Sequence, residues 1–511
     1  MTIPFKSSPV EFNQHLLFPS NIFDLLPKDH ACYLYTELFQ MLDTSTIESS
    51  YQVKGQNAYH PKLIVSILIY AYSRGVFSSR QIERRCHEDL SFMFIAQMNC
   101  PNFRVLSDFR KNHGDFFQDC FKQTVKLAME LKLASLGHIS LDGSKPVLSE
   151  AEGFKANTSK HKAMSYGRLK EREQALCAEI DDLIEKAKRC DQEEDKAYQE
   201  KTGYEIPDDL KFKEGRLAKI QAAKKALEQR EEQLNPGKAI DDTKQISFAD
   251  TEARIMGKKG SFAYAYNAQI SVDADLQIIV GQHISQNAND KQEVEPALQA
   301  LQDTTERLPD QVSADNGYWS GGNLQAFDES GVDAYIATDK GEKTHKIPLD
   351  ASDRKLIKAD FDYHEADNIF ICPNGQTLVM ISESKDGSRV YQGRDEVCDA
   401  CPLKIRCCQS DKGHARTIST DDKESLRQDM NRKMETASAQ AVYKQRKVIV
   451  EPVFGQIKNS GFRGFSVRSK DKVAGEFSIV CAAHNFKKIA KAIVTGLIRP
   501  EFGNYTTNPA I

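Results

Sequence analysis

Apolar residues recur at helical spacing through the first quarter of the chain. Leu63, Ile64, Ile67, Leu68 and Tyr72 fall close to a 3.6-residue period. They lie in KLIVSILIYAY, the longest apolar run, which starts at Lys62 and has the length of a buried helix rather than the ~18 residues a membrane span needs. Ser78 with Gln81 matches a capping box that opens a further helix through Ile82. Pro101 then punctuates the chain before FRVLSDFRKNH, where Phe103, Leu106, Phe109 and Arg110 fit another amphipathic helix. Residues 1–135 are therefore predicted to form an all-α domain. Arg80, Arg84, Arg85, Arg104, Arg110 and Lys111 are expected on its surface, a pattern compatible with a helix-turn-helix DNA reader and equally with a plain helical bundle.

The period changes to two at HISLDGS, where Ile139 and Leu141 alternate with Ser140 and Asp142 and Gly143 ends the strand. From Tyr166 to Leu234 the chain turns to long charged helices. Leu176, Ile180, Leu183 and Ala187 keep a 4-3-4 spacing, as do Leu217, Ile220, Lys224 and Leu227, although Lys224 weakens the seam. Closed by Asn235, Pro236 and Gly237, residues 166–239 read as a helical hairpin inserted into another domain. Strands resume in AYNAQISVD and QIIVGQHIS, a hairpin, and in DQVSADNGYW, which runs into Asp315 and the Asn316-Gly317 turn. Helical NLQAF and a last strand, DAYIAT, follow. Residues 136–165 and 240–355 thus read as an α/β core with a mixed sheet, and Asp142 and Asp315 stand at the ends of two of its strands, where open sheets place their sites.

Residues 356–430 carry the cysteine cluster FICPNG and CDACPLKIRCC. Cys398 and Cys401 form a CxxC, and with Cys407 and the distant Cys372 they supply four thiolates able to close a tetrahedral zinc site. Residues 431–497 return to helix. Around Tyr443 to Lys458, Glu451 and Lys458 share a face, Tyr443 and Arg446 come a turn or two earlier, and Pro452 is expected to kink or restart the helix beside Glu451. Residues 498–511 read as a tail.

Composition changes this picture in three ways. A chain of 511 residues is long enough for roughly three units at about 150 residues each. The N-terminus lacks the features of an export signal, so a reducing, cytoplasmic location is expected and the 12 cysteines are not read as disulfides. The net charge of −4 excludes a chain that is basic throughout but not a local basic patch. One such patch runs from Tyr443 to Lys472, with eight Lys or Arg, Arg463 among them, against two acids.

Three carboxylates then stand out: Asp142, Asp315 and Glu451. Hard oxygen ligands on rigid elements beside basic residues are what two-metal phosphodiester chemistry requires. LDGSK, VSADNGYWS, YKQRKVIVEPVFGQIK and GFRGFSVRSKDKVAGEFSIVCAAHNFKKI together resemble the DDE-type insertion-sequence transposases of bacteria. HPKLIVSILIYAYSRGVFSSRQIERRCHEDLSFMFI resembles the helical domain of one branch, and the likeness covers residues 55 to 495. It implies a ribonuclease-H-like core with Asp142, Asp315 and Glu451 as catalytic, metal-holding residues for two Mg2+ or Mn2+ ions. It also implies DNA contacts from the Tyr-Arg-Glu-Lys signature, here Tyr443, Arg446 and Lys458, with Lys447 in a second register beside Arg446, and from Arg463. The implied partners are double-stranded DNA, both the element's terminal inverted repeats and the target, and further copies of the chain; no membrane is implied. The cysteine segment resembles one in the same branch, which favours zinc. Against this pattern PVLSEAEG, residues 146–153, reads as an eight-residue insertion four residues after Asp142. It leaves two expectations: an active transposase, or an inactive copy that retains DNA binding alone.

Overall fold

The computed structural model describes residues 21–51, 58–144, 154–158, 163–197, 208–258, 261–338, 354–385, 387–408 and 414–499. The chain divides into two units, Met1–Arg110 with Phe486–Ile511, and Lys111–Asn485.

The first unit is helical. Its centre is the Pro61–Ser73 helix, buried along nearly its whole length as the apolar run requires. Aromatic rings close around it, Tyr70 meeting Tyr35 and Phe92 edge-to-face at 5.3 and 5.0 Å. Ser78 takes the N-cap position of the Ser79–Glu88 helix, without a side-chain cap hydrogen bond. Arg110 departs from expectation, because it is buried rather than exposed. Its guanidinium donates to Tyr72 Oη at 2.8 Å, to the Phe77 carbonyl at 2.9 Å and to Ser79 Oγ at 3.2 Å. A charge can be buried at that cost when it meets acceptors a neutral residue would leave unpaired.

In the second unit the Gly114–Glu130 helix leads into a five-stranded mixed sheet. In space the strands run Ile279–Ser285, Asn267–Asp273, His138–Ser144, Gln311–Ala314, Asp333–Ile336. The first three are antiparallel neighbours and the last three parallel ones. The Val294–Thr305 helix, which the sequence reading passed over, precedes the fourth strand, and the Gly321–Ser330 helix joins the fourth to the fifth.

Two long helices, Tyr166–Ala197 and Asp208–Leu234, rise from a neck made by the paired strands Ala163–Ser165 and Gln245–Ser247. Leu169, Leu176, Ile220, Ala223 and Leu227 form their seam. Lys224 is accommodated there because its ammonium reaches Glu173 Oε2 at 2.7 Å. The cysteine segment accompanies a second sheet, with Cys372 just past the Ile369–Ile371 strand and the others in or beside the short helices Asp395–Asp399 and Lys404–Cys407. Five antiparallel strands between Asp362 and Asp421 follow one another in order around Leu356, Phe361, Phe370, Leu378, Tyr391 and Ile418. No helix among the described residues is long and apolar enough to cross a membrane.

Candidate active site

Ser140 and Ser313 are register partners in the two central parallel strands. Asp142 lies two residues past the first and Asp315 two past the second, so period-two alternation sends both carboxyls to one face at one level. Below them that face is polar. Ser140 Oγ and Ser313 Oγ are 2.7 Å apart, and His138 links Ser313 Oγ (3.0 Å) to Gln445 Oε1 (3.3 Å) on the Ala437–Ile449 helix. Burial lowers the pKa of His138, which keeps the ring neutral.

Backbone N–H groups aim each aspartate. Asp142 Oδ1 accepts from Gly143 N at 2.9 Å. Asp315 caps the 3-10 turn Asn316–Tyr318, its Oδ1 accepting from Gly317 N at 2.7 Å.

The third carboxylate arrives through a broken helix. The Ala437–Ile449 helix stops, Val450 intervenes, and a new helix, Glu451–Asn459, starts with Pro452 in its first turn, where a missing N–H costs no hydrogen bond. Pro452 thus restarts the helix as expected, and it leaves Glu451 at a positive helix end. Arg446 ties the two helices to the sheet. Its Nη1 is 3.4 Å from Asp142 Oδ2 and its Nη2 is 3.0 Å from Glu451 Oε1.

Burial pushes the Asp142 carboxyl up to about 7; Arg446 opposes this, and the charges of Asp315 and Asp290 add to it. Burial also works against the Arg446 charge, but Asp142, Tyr443, Asp315 and Glu451 together hold its pKa above the usual guanidinium value. The Asp142 side chain is 20% exposed against 46% for Glu451, so the glutamate is the better solvated of the pair.

The signature cations separate by environment. Arg446 is turned in to the carboxylates, whereas Lys447 is exposed. Lys458 lies over the rings of Phe454 and Phe154, 5.6 and 5.9 Å from their centroids. Tyr443 is half-buried, and burial raises its pKa. Arg463 is exposed, and its carbonyl accepts from Lys155 N at 3.3 Å.

One residue beside this centre escaped the sequence reading. Asp290, buried in the turn before the Val294–Thr305 helix, accepts from Asn267 Nδ2 at 2.8 Å and from Gln269 Nε2 at 2.6 Å. A Cβ on Gly143 would come within 2.9 Å of Asp290 Oδ1, and one on Gly317 within 3.1 Å of Oδ2. The carboxyl therefore spans the two glycines that follow Asp142 and Asp315, and at Gly143, where a Cβ would also lie 2.2 Å from Gln269 Nε2, only glycine fits. In NANDKQEVE the residue reads as a polar turn, and the cue available was an acidic turn placed directly after an apolar strand.

The cysteines meet elsewhere in the unit. Cys372, Cys398, Cys401, Cys407 and Cys408 line one cavity of about 140 Å³. Cys372 Sγ accepts from Gln376 N at 3.4 Å and Cys401 Sγ from Asn374 Nδ2 at 3.5 Å. Cys407 is turned into the apolar cluster, and burial pushes its thiol up to about 12, while Cys408 reaches Cys398. Among the described residues no three His, Cys, Asp or Glu side chains, here or at Asp142, are drawn together as a metal-holding group.

PVLSEAEG, residues 146–153, lies outside the described residues. Both of its flanks are anchored. Ser144 ends the central strand, and Phe154 is fully buried among Phe454, Phe462, Phe465 and Phe477.

Two family models match the chain. One, described as a transposase DDE domain, covers residues 371–490 and so spans the cysteine cavity and Glu451 but neither aspartate. The other, described as a transposase domain (DUF772), covers residues 20–112. No curated protein and no solved structure matches the chain.

Proposed function

The chain belongs to the DDE-type insertion-sequence transposases, and from that premise we propose that Asp142, Asp315 and Glu451 are its catalytic carboxylates for cleaving element ends and joining them to target DNA. The observation that carries this reading is that Arg446 joins the strand-end Asp142 to the helix-start Glu451, with Asp315 two residues past the register partner of Ser140 on the neighbouring strand. The strand order of the sheet supports a ribonuclease-H-like core.

These residues suit divalent metal. They are hard oxygen donors on rigid elements, they already collect a cation, and burial leaves Asp142 short of compensating positive charge. Mg2+ or Mn2+ held by the three carboxylates would supply the Lewis acidity that phosphodiester displacement by water, and then by a 3′-hydroxyl, requires.

The protein's own part is positional and electrostatic. Arg446 offsets the carboxylate charge that would otherwise repel a phosphate and keeps Asp142 and Glu451 facing one another. Lys447, being outward, is the cation of the pair that reaches the DNA backbone, with Lys458 and Arg463 beyond it. Tyr443, one turn before Arg446 on the same helix, interacts with its guanidinium and helps to hold it toward the carboxylates.

The test is a labelled duplex carrying the element's own terminal repeat, incubated with target DNA. Cleavage and joined product are expected with magnesium, in a complex heavier than one protomer on one duplex, and both are lost with chelator or in Asp142→Asn. Cutting by Asp142→Asn at the wild-type rate would overturn the assignment. Neither the family matches nor the described residues lend support to an inactive, binding-only copy.

The cysteine cavity supports a structural zinc held by Cys372, Cys398, Cys401 and a fourth thiol. Cys408, beside Cys398, is better placed for that role than the buried Cys407. Thiol acceptors already receiving N–H donors suit a thiolate site. Elemental analysis of the purified chain should find about one zinc per chain, lost in Cys398→Ser with Cys401→Ser. A zinc-free wild-type protein that melts identically with and without added zinc would remove this reading.

A further inference from the structure

Chain from both sides of the catalytic centre converges on a second polar site. Past the Asp142 strand, Lys155 bridges antiparallel to Ala265 and parallel to Gly464. Gly464 follows the helix that Glu451 begins. There the two backbones are so close that a Cβ on Gly464 would lie 2.7 Å from the Lys155 carbonyl oxygen. Lys155, Ala156, Asn157, Thr158, Gly464 and Arg468 line an open cavity of about 430 Å³, completed by Ala249 and Phe465, and no acidic side chain lines it.

Its donors decide what it can hold. Lys155 N and Phe465 N are spent on the carbonyls of Arg463 and Lys155. Asn157 Nδ2 donates to the Ser466 carbonyl, Thr158 Oγ1 meets Ser247 Oγ, and Arg468 Nε donates to the Asn157 carbonyl at 3.0 Å. Lys155 Nζ and the terminal nitrogens of Arg468 are the charged donors of this lining, and they have no partner among the described residues. A lining with two free cationic groups and no acidic side chain selects for negative charge, which a duplex presents in its phosphates.

Its rim is also held in place. Buried Glu476 accepts from Ser466 N at 2.7 Å, Ser466 Oγ at 2.5 Å and Val467 N at 3.3 Å, fixing the loop that carries Arg468. Phe154, next to Lys155, packs with Phe462 and Phe465 on either side of Gly464. Lys458, over the Phe154 ring, extends the cationic surface back toward Glu451.

We propose that this groove is a DNA-backbone site in which Lys155 and Arg468 neutralise successive phosphates of the duplex processed at Asp142, Asp315 and Glu451. The proposal rests on the transposase reading and adds the surface that holds the DNA against that centre.

The test compares wild type with the Lys155→Ala, Arg468→Ala double variant, as full chains, on a fluorescent 40-base-pair duplex ending in the element's terminal repeat. Anisotropy in chelator should show the double variant binding about tenfold or more weakly, with a salt slope shallower by about two phosphates. Its melting temperature should be unchanged. Lys155→Arg with Arg468→Lys keeps both charges and should restore affinity to within about twofold, which separates a phosphate contact from a folding defect. Equal affinity and equal slope for wild type and double variant would overturn the proposal while leaving the catalytic assignment intact. Wild type that binds the duplex and loses that binding in the double variant, yet never cuts, would sink the catalytic assignment and leave the groove standing. Wild type with no affinity for any duplex overturns both.

Discussion

Asp142 carries a charge that its surroundings resist, and this gives the free protein a measurable signature. Burial raises its pKa from 3.8 to about 7 even with Arg446 alongside. A carboxyl whose folded pKa lies above its unfolded value contributes stability that is fully present below about pH 4 and is lost as pH rises through about 7. Three pKa units correspond to at most about 4 kcal/mol. In chelator, Asp142→Asn should therefore melt close to wild type at about pH 4 and several degrees above it at about pH 8, while the proposed role predicts that the same substitution abolishes cleavage. Equal melting temperatures at the higher pH would mean that Arg446 fully compensates the charge. At this scale the sequence spoke unevenly. Asp142, Asp315 and Glu451 could be singled out because strand ends and a helix signature mark them, and in the structure Arg446 pairs with two of them, Asp142 and Glu451. The inward turn of Arg446 and outward turn of Lys447 could not be, since which face of the Ala437–Ile449 helix meets the sheet is set by tertiary packing and not by local spacing. Asp290 stayed hidden because its place comes from the approach of three separate chain segments, at Gly143, Gln269 and Gly317, and no local spacing encodes that.

Elements were legible where one period runs unbroken against one face. His138–Ser144 and the hairpin of Asn267–Asp273 with Ile279–Ser285 follow the alternation that predicted them. The two long helices follow their 4-3-4 spacing despite Lys224, because an interhelical ion pair can replace an apolar contact where the ammonium still reaches water. The antiparallel sheet around the cysteines was missed for the opposite reason. Thr377–Glu383, its central strand, buries little beyond Leu378, so its apolar residues show no one-sided pattern. The Val294–Thr305 helix was missed because EVEP reads as a turn, whereas in the structure Pro296 falls in the first turn of the helix, where proline is tolerated. Glu451 shows the same rule at work for function. Its place at a helix start, opposite a strand end, depends on a proline that a propensity count would treat as a breaker.

At the scale of the whole molecule, charge is arranged rather than abundant. A net charge of −4 offers a polyanion no general attraction, so DNA affinity has to come from cations gathered on one surface. Arg446 is not available for this, since the carboxylates hold it. The outward cations Lys447, Arg463, Arg468 and Lys155 are. Each phosphate they neutralise releases condensed counterions, and the logarithm of the affinity falls by about 0.9 per phosphate for each tenfold rise in salt. The four contacts proposed in the second unit would therefore set a floor of about −3.6 for the slope, to which cations of the helical unit such as Arg84 and Arg104 can add. Titrating duplex DNA against the full chain between about 50 and 300 mM salt should give a straight line steeper than this floor, the same for element ends and for unrelated sequence. A flat response would mean that the acidic balance of the chain outweighs its basic surface. DNA would then have to be held by base contacts, which salt hardly touches, and the arrangement of cations around the Asp142 centre would need another purpose.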